Sequence, residues 1–112
     1  MKLICAVVRP NCLEDIRAAA MQLGLEGLTV SETEQHAAGP VLTEVYRGAE
    51  YVSDRQHRIR IELAVADDMA DQVTEAICNI ARTGREGDGE LFLSTLAQAI
   101  RIRTGETGPE AV

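Results

Sequence analysis

Three glycines lie within the eight residues 83–90, between an apolar helical pattern and an apolar strand pattern. A glycine can adopt a positive φ angle. Because it has no Cβ atom to shield the neighbouring main-chain N–H groups, a ligand can approach them. Successive N–H groups in such a loop form a concave nest that attracts anions, phosphate above all. Taken by itself, the segment has a surface turn as its alternative interpretation.

Two arginines, Arg101 and Arg103, follow in the segment 100–106. They would share one face of an extended segment, because side chains alternate along extended main chain. The guanidinium group is the cation best suited to bind phosphate through paired N–H donors. The loop and the arginines together therefore favour a phosphate-bearing ligand. Glu90 is the exception, because a carboxylate at the end of a phosphate-binding loop repels the ligand.

The composition limits the class of protein. The 112 residues are 46% hydrophobic and 26% charged, which predicts one globular domain rather than a disordered chain. The net charge of −7 argues against a nucleic-acid partner, since there is no basic block to displace counterions. No apolar run approaches the roughly 20 residues of a membrane span, and no signal sequence is indicated. A cytoplasmic location is expected.

The cysteines and histidines do not indicate a metal site. Cys5, Cys12 and Cys78 form no CxxC pair, so neither a disulfide framework nor a zinc site is predicted. Cys5 and Cys78 lie within apolar patterns, which predicts that they are buried. Cys12 precedes a predicted helix, where the pKa of a thiol can fall. His36 and His57 are isolated in the sequence and are expected to face solvent.

The elements that must position the glycine loop follow from hydrophobic periodicity. The order is strand, helix, strand, a long segment without periodicity, then strand, helix, strand. The helices are predicted from Leu13 and from Asp67 or Asp68, whose side chains can cap the second helix. The strands are predicted over residues 1–9, 25–33, 57–66 and 91–94.

This order predicts an α+β fold of the ferredoxin-like βαββαβ type, with both helices on one face of a four-stranded antiparallel sheet. A chain this short leaves the other sheet face uncovered, which predicts that the protein oligomerises through it. With three subunits, the arginine segment of one chain could reach the glycine loop of its neighbour.

Three segments together resemble the PII signal-transduction proteins: residues 42–51, the loop at 83–90 and the segment 100–106. The resemblance covers the single domain, residues 1–112, without gaps. It implies a homotrimer that binds adenine nucleotides in clefts between subunits. It also implies that a long T-loop, about residues 35–56, binds membrane transporters or metabolic enzymes. Such proteins report carbon, nitrogen and energy status rather than catalyse metabolic steps.

The resemblance assigns site residues by position. Phosphate would be bound by Gly87, Asp88 and Gly89 of one subunit and by Arg101 and Arg103 of its neighbour. The adenine and ribose pocket would be lined by Val7, Leu28, Thr29, Glu62 and Ala64. Tyr51 matches the tyrosine that is uridylylated in some members. No prosthetic group is implied, and a transporter target would recruit the protein to the inner face of the membrane.

One departure from the family pattern changes the expected nucleotide. Glu90 stands where the family has a lysine that closes the phosphate loop, so the terminal phosphate of ATP would be repelled. At about 4 Å and an effective dielectric of about 20, one such contact has a Coulomb energy of about 4 kcal/mol. A third of that energy changes affinity about tenfold. ADP or AMP is therefore expected to bind more tightly than ATP.

A second departure lies in the T-loop. Gly39 replaces the glutamine that helps to hold the magnesium ion between ATP and 2-oxoglutarate, and Arg58 replaces the lysine that meets the 2-oxoglutarate carboxylate. A smaller anion beside the nucleotide, held by Arg58 or by T-loop N–H groups at Gly39, fits these changes. Bicarbonate, which a carboxysome-associated group of PII-like proteins is understood to sense, is the first candidate. The alternative is a conventional nitrogen-regulatory PII protein that binds ATP, magnesium and 2-oxoglutarate and is uridylylated on Tyr51.

Two other classes of protein fit less well. An enzyme would need a catalytic constellation, and none is evident, although a slow ATPase activity has been attributed to some PII-type folds. Glu90 could act as a general base, but an ion pair with Arg85 is the simpler account. A metal-binding trimer of related shape, as in the copper-tolerance proteins, would need clustered histidine or cysteine ligands.

Overall fold

The computed structural model describes residues 1–36, 43–46, 49–52 and 55–112, and for 43–46 and 49–52 it describes the main chain alone. The strands in these ranges are β1 Lys2–Val8, β2 Thr29–His36, β3 Thr43–Tyr46, β4 Ala49–Val52, β5 Arg55–Val65 and β6 Gly89–Thr95. The α-helices are α1 Leu13–Gln22 and α2 Asp67–Ala81, and short 3-10 helices cover Pro10–Cys12 and Gly108–Ala111.

Four of the strands form one antiparallel sheet in the order β2-β5-β1-β6, and β3 and β4 form a separate hairpin. This is the sheet expected of the predicted ferredoxin-like α+β fold, which is confirmed. The two central strands, β1 and β5, are the most apolar ones, because their side chains meet the helices on one face.

The hydrophobic core lies between this sheet and the two helices. Alternate residues of β1 and β5 supply one side of it, as the two-residue period of a strand requires. The helices supply the other side through residues spaced three and four apart. The buried side chains of the core are Ile4, Ala6, Val8, Ile16, Ile59, Ile61, Leu63, Val65, Ala70, Val73, Ile77 and Ala81.

Two details of the predicted elements are wrong. The second strand begins at Thr29 rather than at Leu25, because Gly24, with φ of 82°, ends α1. The N–H of Leu25 then donates back to the Ala20 carbonyl at 3.0 Å, which holds the chain against the helix. Asp67 lies in the first turn of α2 rather than at its N-cap, which is Ala66 without a side-chain capping bond.

The segment predicted to lack regular elements contains more pairing than its composition indicates. β2 and β5 stay paired as far as His36 opposite Arg55, inside the predicted T-loop bounds of 35–56. The hairpin of β3 and β4 lies within the same bounds and places Tyr51 opposite Glu44. Main-chain hydrogen bonds define these ladders, and Glu34 of β2 also forms an ion pair with Arg55 of β5 at 3.6 Å, so no apolar alternation marks this pairing in the sequence.

No helix in the described ranges is long and apolar enough to cross a bilayer.

Candidate functional site

The glycine loop, residues 83–90, connects α2 to β6 and has the positive φ angles that the sequence predicted. At Gly89, with φ of 115°, a Cβ atom would overlap the carbonyl oxygen of Val7 and lie 3.1 Å from the Cα atom of Val8. At Gly87, a Cβ atom would lie 3.0 Å from Arg58 Nη2 and 3.2 Å from Arg9 Nη2. Close approach of main-chain atoms therefore requires glycine at position 89, whereas at position 87 the neighbours are flexible arginine side chains and the φ of 87° is what favours glycine.

The carboxylate of Asp88 folds back into the loop that carries it. It accepts hydrogen bonds from the main-chain N–H groups of Thr83 at 2.8 Å and Gly84 at 2.9 Å. The hydroxyl of Thr83 also donates to it. The nest of N–H groups at the start of the loop is thus filled by the chain's own anion. A ligand would have to use the later part of the loop, around Gly87 and Gly89.

Arg9 completes this arrangement, and sequence reasoning missed it. Its Nη1 atom lies 2.5 Å from Asp88 Oδ1, and its Nη2 atom donates to the Glu86 carbonyl at 2.7 Å. The signal that could have found it is the strand register, because Val8 pairs with Gly89 and Arg9 therefore comes level with Asp88. Arg9 and Asp88 hold the loop in shape without a ligand.

Hydrogen bonds lower the pKa of Asp88 well below its usual range, with Thr83 as the largest cause and Arg9 as the next. A depressed pKa adds stability above the pKa of the unfolded chain, about 3.9 for aspartate, and that stability is lost as the pH falls further. We therefore expect Asp88→Asn to unfold more easily than the wild type at pH 7. The difference should stay constant down to about pH 4 and then shrink.

Urea denaturation at a series of pH values from 7 to 3 measures this difference. Asp71→Asn, which removes a charge from an exposed position on α2, is the matched control and should show a much smaller difference at pH 7. A gap between wild type and Asp88→Asn that is absent at pH 7, or undiminished at pH 3, would contradict the assignment.

A second feature is a cavity of about 360 Å³ on the sheet face opposite the helices. It brings together four of the five residues that the resemblance assigned to adenine and ribose: Leu28, Thr29, Glu62 and Ala64. Thr29 and Glu62 are direct neighbours across β2 and β5. Val7 does not line the cavity, but it lies on the same sheet face, paired with Arg60 and Glu90.

Arg58 has a charged side chain that is nevertheless buried, with 8% of the residue's surface exposed. No other charged residue in the described ranges is buried. Its guanidinium donates to Gln56 Oε1 at 2.5 Å, to its neighbour His57's carbonyl at 2.8 Å and to the Gly87 carbonyl at 3.3 Å. None of these oxygen atoms belongs to a charged group, and Nε is buried with no partner in the part of the chain that the structure describes. Burying a cation without a counter-ion is unfavourable, so Arg58 fits a site for an anion.

The sequence model of the family described as "Nitrogen regulatory protein P-II" matches residues 1–106. The chain belongs to the P-II family.

Proteins of that name are similar to this chain over its full length. The one from Rhizobium meliloti (strain 1021) is 46% identical over 112 residues, which is 100% of both chains. Those from Rhodobacter capsulatus and Bradyrhizobium diazoefficiens are 45% and 41% identical, also over 100% of both chains. The predicted PII resemblance is confirmed, and these names describe a regulatory role in nitrogen metabolism. None of them indicates the carboxysome-associated subgroup.

One predicted P-II feature has a different conformation. Residues 100–106 were expected to be extended, with both arginines on one face, and this is wrong. The segment is a turn in which the Gly105 N–H donates to the Arg101 carbonyl at 2.8 Å and the Arg101 N–H to the Glu106 carbonyl at 2.9 Å. Gly105 permits the turn through its φ of 77°. Arg103 is exposed, and Nη1 of Arg101 lies 3.9 Å from Oε1 of Glu106.

The residue that departs from the P-II lysine, Glu90, is exposed on β6. In the described ranges the structure shows no ion pair between Glu90 and Arg85, so the predicted pairing of the two is not found. The Glu90 carboxylate is thus exposed and forms no ion pair in the described ranges. Gly39 lies outside the described residues, and for Tyr51 only the main chain is described.

The cysteines differ from the expectation. Burial is the largest influence on Cys12 and raises the pKa of its thiol, so the fall in pKa that a place before a helix can cause is not found. Cys5 and Cys78 are half-buried rather than buried. His36 and His57 are both exposed, as predicted. Where side chains are described, no three His, Cys, Asp or Glu residues are close enough to hold a metal ion.

Proposed function

We propose that this P-II protein is a homotrimeric regulator of nitrogen metabolism, not an enzyme, that binds adenine nucleotides in clefts between its subunits. The observation that carries the proposal is the preformed glycine loop, which Asp88 and Arg9 hold in shape. A loop that is already ordered costs little conformational entropy when a phosphate binds to it. The cavity at Leu28 and Thr29 then receives the adenine and ribose.

The trimer is supported by apolar side chains that this chain leaves exposed. Phe92, on the sheet face opposite the helices, is 52% exposed, and Ile102, beside the two arginines, is 96% exposed. Apolar surface of this kind is stabilised when another subunit covers it. Association through this face would carry Arg101 and Arg103 to the phosphates of a nucleotide on the neighbouring glycine loop.

Glu90 sets the nucleotide preference in this proposal. It directly follows Gly89 and shares a sheet face with Val7, its partner on β1. The longer phosphate chain of ATP brings more negative charge towards this carboxylate than ADP or AMP does. ADP and AMP are therefore the favoured ligands, with ATP bound about tenfold more weakly than ADP.

Arg58 is the proposed site of an anionic co-effector beside the nucleotide, supported by its buried Nε without a partner in the described ranges. Two anions are candidates. The nitrogen-regulatory names of the relatives favour 2-oxoglutarate, as in the conventional P-II alternative with ATP and magnesium. Bicarbonate is the smaller candidate, and the close packing of Arg58 against Gly87 supports a small anion.

The T-loop, with Tyr51 in its hairpin, would bind the regulated protein, a membrane transporter or a metabolic enzyme in the cytoplasm or at the membrane's inner face. The hairpin of β3 and β4 presents Tyr51 opposite Glu44. Uridylylation of Tyr51 belongs to the conventional alternative, because it links P-II proteins to nitrogen status.

Isothermal titration calorimetry combined with light scattering tests the proposal. We expect a trimer that binds ADP about tenfold more tightly than ATP at equal magnesium. Repeating each titration with 2-oxoglutarate and with bicarbonate identifies the co-effector by the change in nucleotide affinity. Tighter binding of ATP, increased further by 2-oxoglutarate, would replace the ADP preference with the conventional alternative. A monomer that binds no adenine nucleotide would overturn the proposal.

A further inference from the structure

The contacts of Arg58 join two segments that are far apart in the sequence. Gln56 and His57 belong to the start of β5, where it pairs with the end of β2, and Gly87 belongs to the glycine loop. We call the paired ends of the two strands, residues 34–36 and 55–57, the stem. The stem and the glycine loop therefore share one guanidinium group.

The three bonds of this guanidinium are not equivalent. The bond from Nη2 to Gln56 Oε1 is short, at 2.5 Å, whereas the bond from the same nitrogen to the Gly87 carbonyl is long, at 3.3 Å. Arg9 Nη2 is also close to Gly87, within 3.2 Å of the place that a Cβ atom would occupy. Two cations thus lie against the middle of the glycine loop, and only Arg9 has a carboxylate partner in the described ranges.

An oxyanion that binds near Gly87 would compete with these neutral acceptors for Arg58. The Arg58 guanidinium is charged with either kind of acceptor, but an oxyanion adds a charge–charge attraction that the neutral oxygen atoms of Gln56, His57 and Gly87 do not supply. The guanidinium would therefore turn towards the phosphate or carboxylate, and the Gln56 side chain would lose its donor. The stem would lose a contact that ties it to the core of the fold.

We propose that Gln56 is a positioning residue that holds Arg58 away from the anion when the site is empty, and that its release transmits ligand binding to the stem. The inference rests on the proposed function, because it requires an anionic ligand at the glycine loop. It assigns a role to a glutamine that neither the phosphate-binding nor the adenine-binding set contains. The stem is where the predicted T-loop begins and ends.

Hydrogen–deuterium exchange of the stem, with and without ADP, tests this role in the wild type and in Gln56→Leu. In the wild type, ADP should slow exchange in the glycine loop and raise exchange in the stem by about twofold or more. In Gln56→Leu, the stem should exchange at the raised rate with or without ADP, while ADP still slows exchange in the loop. A loss of fold alone would not produce this separation of the two responses.

The matched control is Gln35→Leu. Gln35 pairs with Gln56 across the stem, and the described contacts include no bond between it and Arg58. In the Gln35→Leu variant, ADP should raise hydrogen–deuterium exchange in the stem as it does in the wild type. Gln56→Glu provides the opposite change, because a carboxylate holds the guanidinium more firmly, and ADP affinity should fall by about threefold or more.

The outcomes separate the two proposals. If ADP binds normally and the stem of Gln56→Leu responds like that of the wild type, the role of Gln56 is wrong and the proposed function stands. If ADP binds to the wild type but does not change exchange in the stem, the role of Gln56 is likewise wrong and the proposed function stands. If ADP does not bind to the wild-type protein at all, both the proposed function and the role of Gln56 are overturned.

Discussion

Glu90→Lys is expected to raise the affinity for ATP by about a hundredfold, and the affinity for ADP by less. The substitution acts in two steps of comparable size. Removing the carboxylate ends a repulsion, and adding the ammonium group creates an attraction. Each step is a charge contact of about 4 kcal/mol at an effective dielectric of about 20, and solvent leaves about a third of it, which is about tenfold in affinity.

The larger effect on ATP follows from the length of its phosphate chain. Glu90 is the exposed second residue of β6 and the last residue of the glycine loop, so in the proposed complex the charge nearest to it would be that of the outermost phosphate. Glu90→Lys should therefore reverse the preference, and the variant should bind ATP at least as tightly as ADP. Calorimetric titration of both nucleotides at equal magnesium measures the two affinities.

Two further variants separate the local effect from the change in net charge. Glu90→Gln should give an ATP affinity midway, on a logarithmic scale, between the wild type and Glu90→Lys. Glu75→Lys makes the same change in net charge at an exposed position on α2 and should leave both affinities within about twofold. An increase in ATP affinity in Glu75→Lys equal to that in Glu90→Lys would show that Glu90 has no local role.

Gly89→Ala is expected to lower the free energy of unfolding by about 3–5 kcal/mol, a loss that few single substitutions reach. The added Cβ atom would overlap the Val7 carbonyl, a main-chain atom of a central strand that cannot turn aside as a side chain can. The φ angle of 115° adds strain, because residues with a Cβ atom rarely adopt it. β6 would have to separate from β1 at its first residue pair, Gly89 opposite Val8.

Gly84→Ala is the matched control for this substitution. Gly84 belongs to the same loop and has a φ of 83°, but a Cβ atom there would meet nothing within 4 Å. Its cost should be about 1–2 kcal/mol, the strain of the left-handed conformation alone. Urea unfolding at pH 7 gives both values. Equal losses in the two variants would mean that contact with Val7 does not determine the requirement for glycine at position 89.

Much of the fold could be predicted because its signals are local. The alternation of Ile59, Ile61 and Leu63 with polar residues indicates a strand with one buried face, and Val73 and Ile77 show the spacing of a helix. The order of these elements limits the sheet to few arrangements. Errors arose where main-chain bonds rather than side-chain burial decide the conformation, as in the turn closed by Gly105.

The candidate site was predictable to a smaller extent. The glycine loop and the acidic residue at its end are visible as a motif, and the family resemblance located Arg58. The inward position of the Asp88 carboxylate was not visible, since a sequence does not show which of several donors an acceptor will choose. Arg9 was missed for a related reason: it is 79 residues from Asp88 in the chain.

By itself, the sequence determined the two helices and the four strands of the sheet with their order, the glycine loop at 83–90 and the negative charge at Glu90. These properties depend on residue type and short spacing, which the chain carries wherever it folds. Only the tertiary structure decided the partners of the two buried or half-buried arginines. Arg9 pairs with the carboxylate of Asp88, whereas Arg58 donates to the neutral oxygen atoms of Gln56 and Gly87 and to no described carboxylate. The reason is that strand pairing and loop closure bring distant residues within hydrogen-bonding distance, and a bond of that length depends on ångström-scale positions that no local pattern encodes.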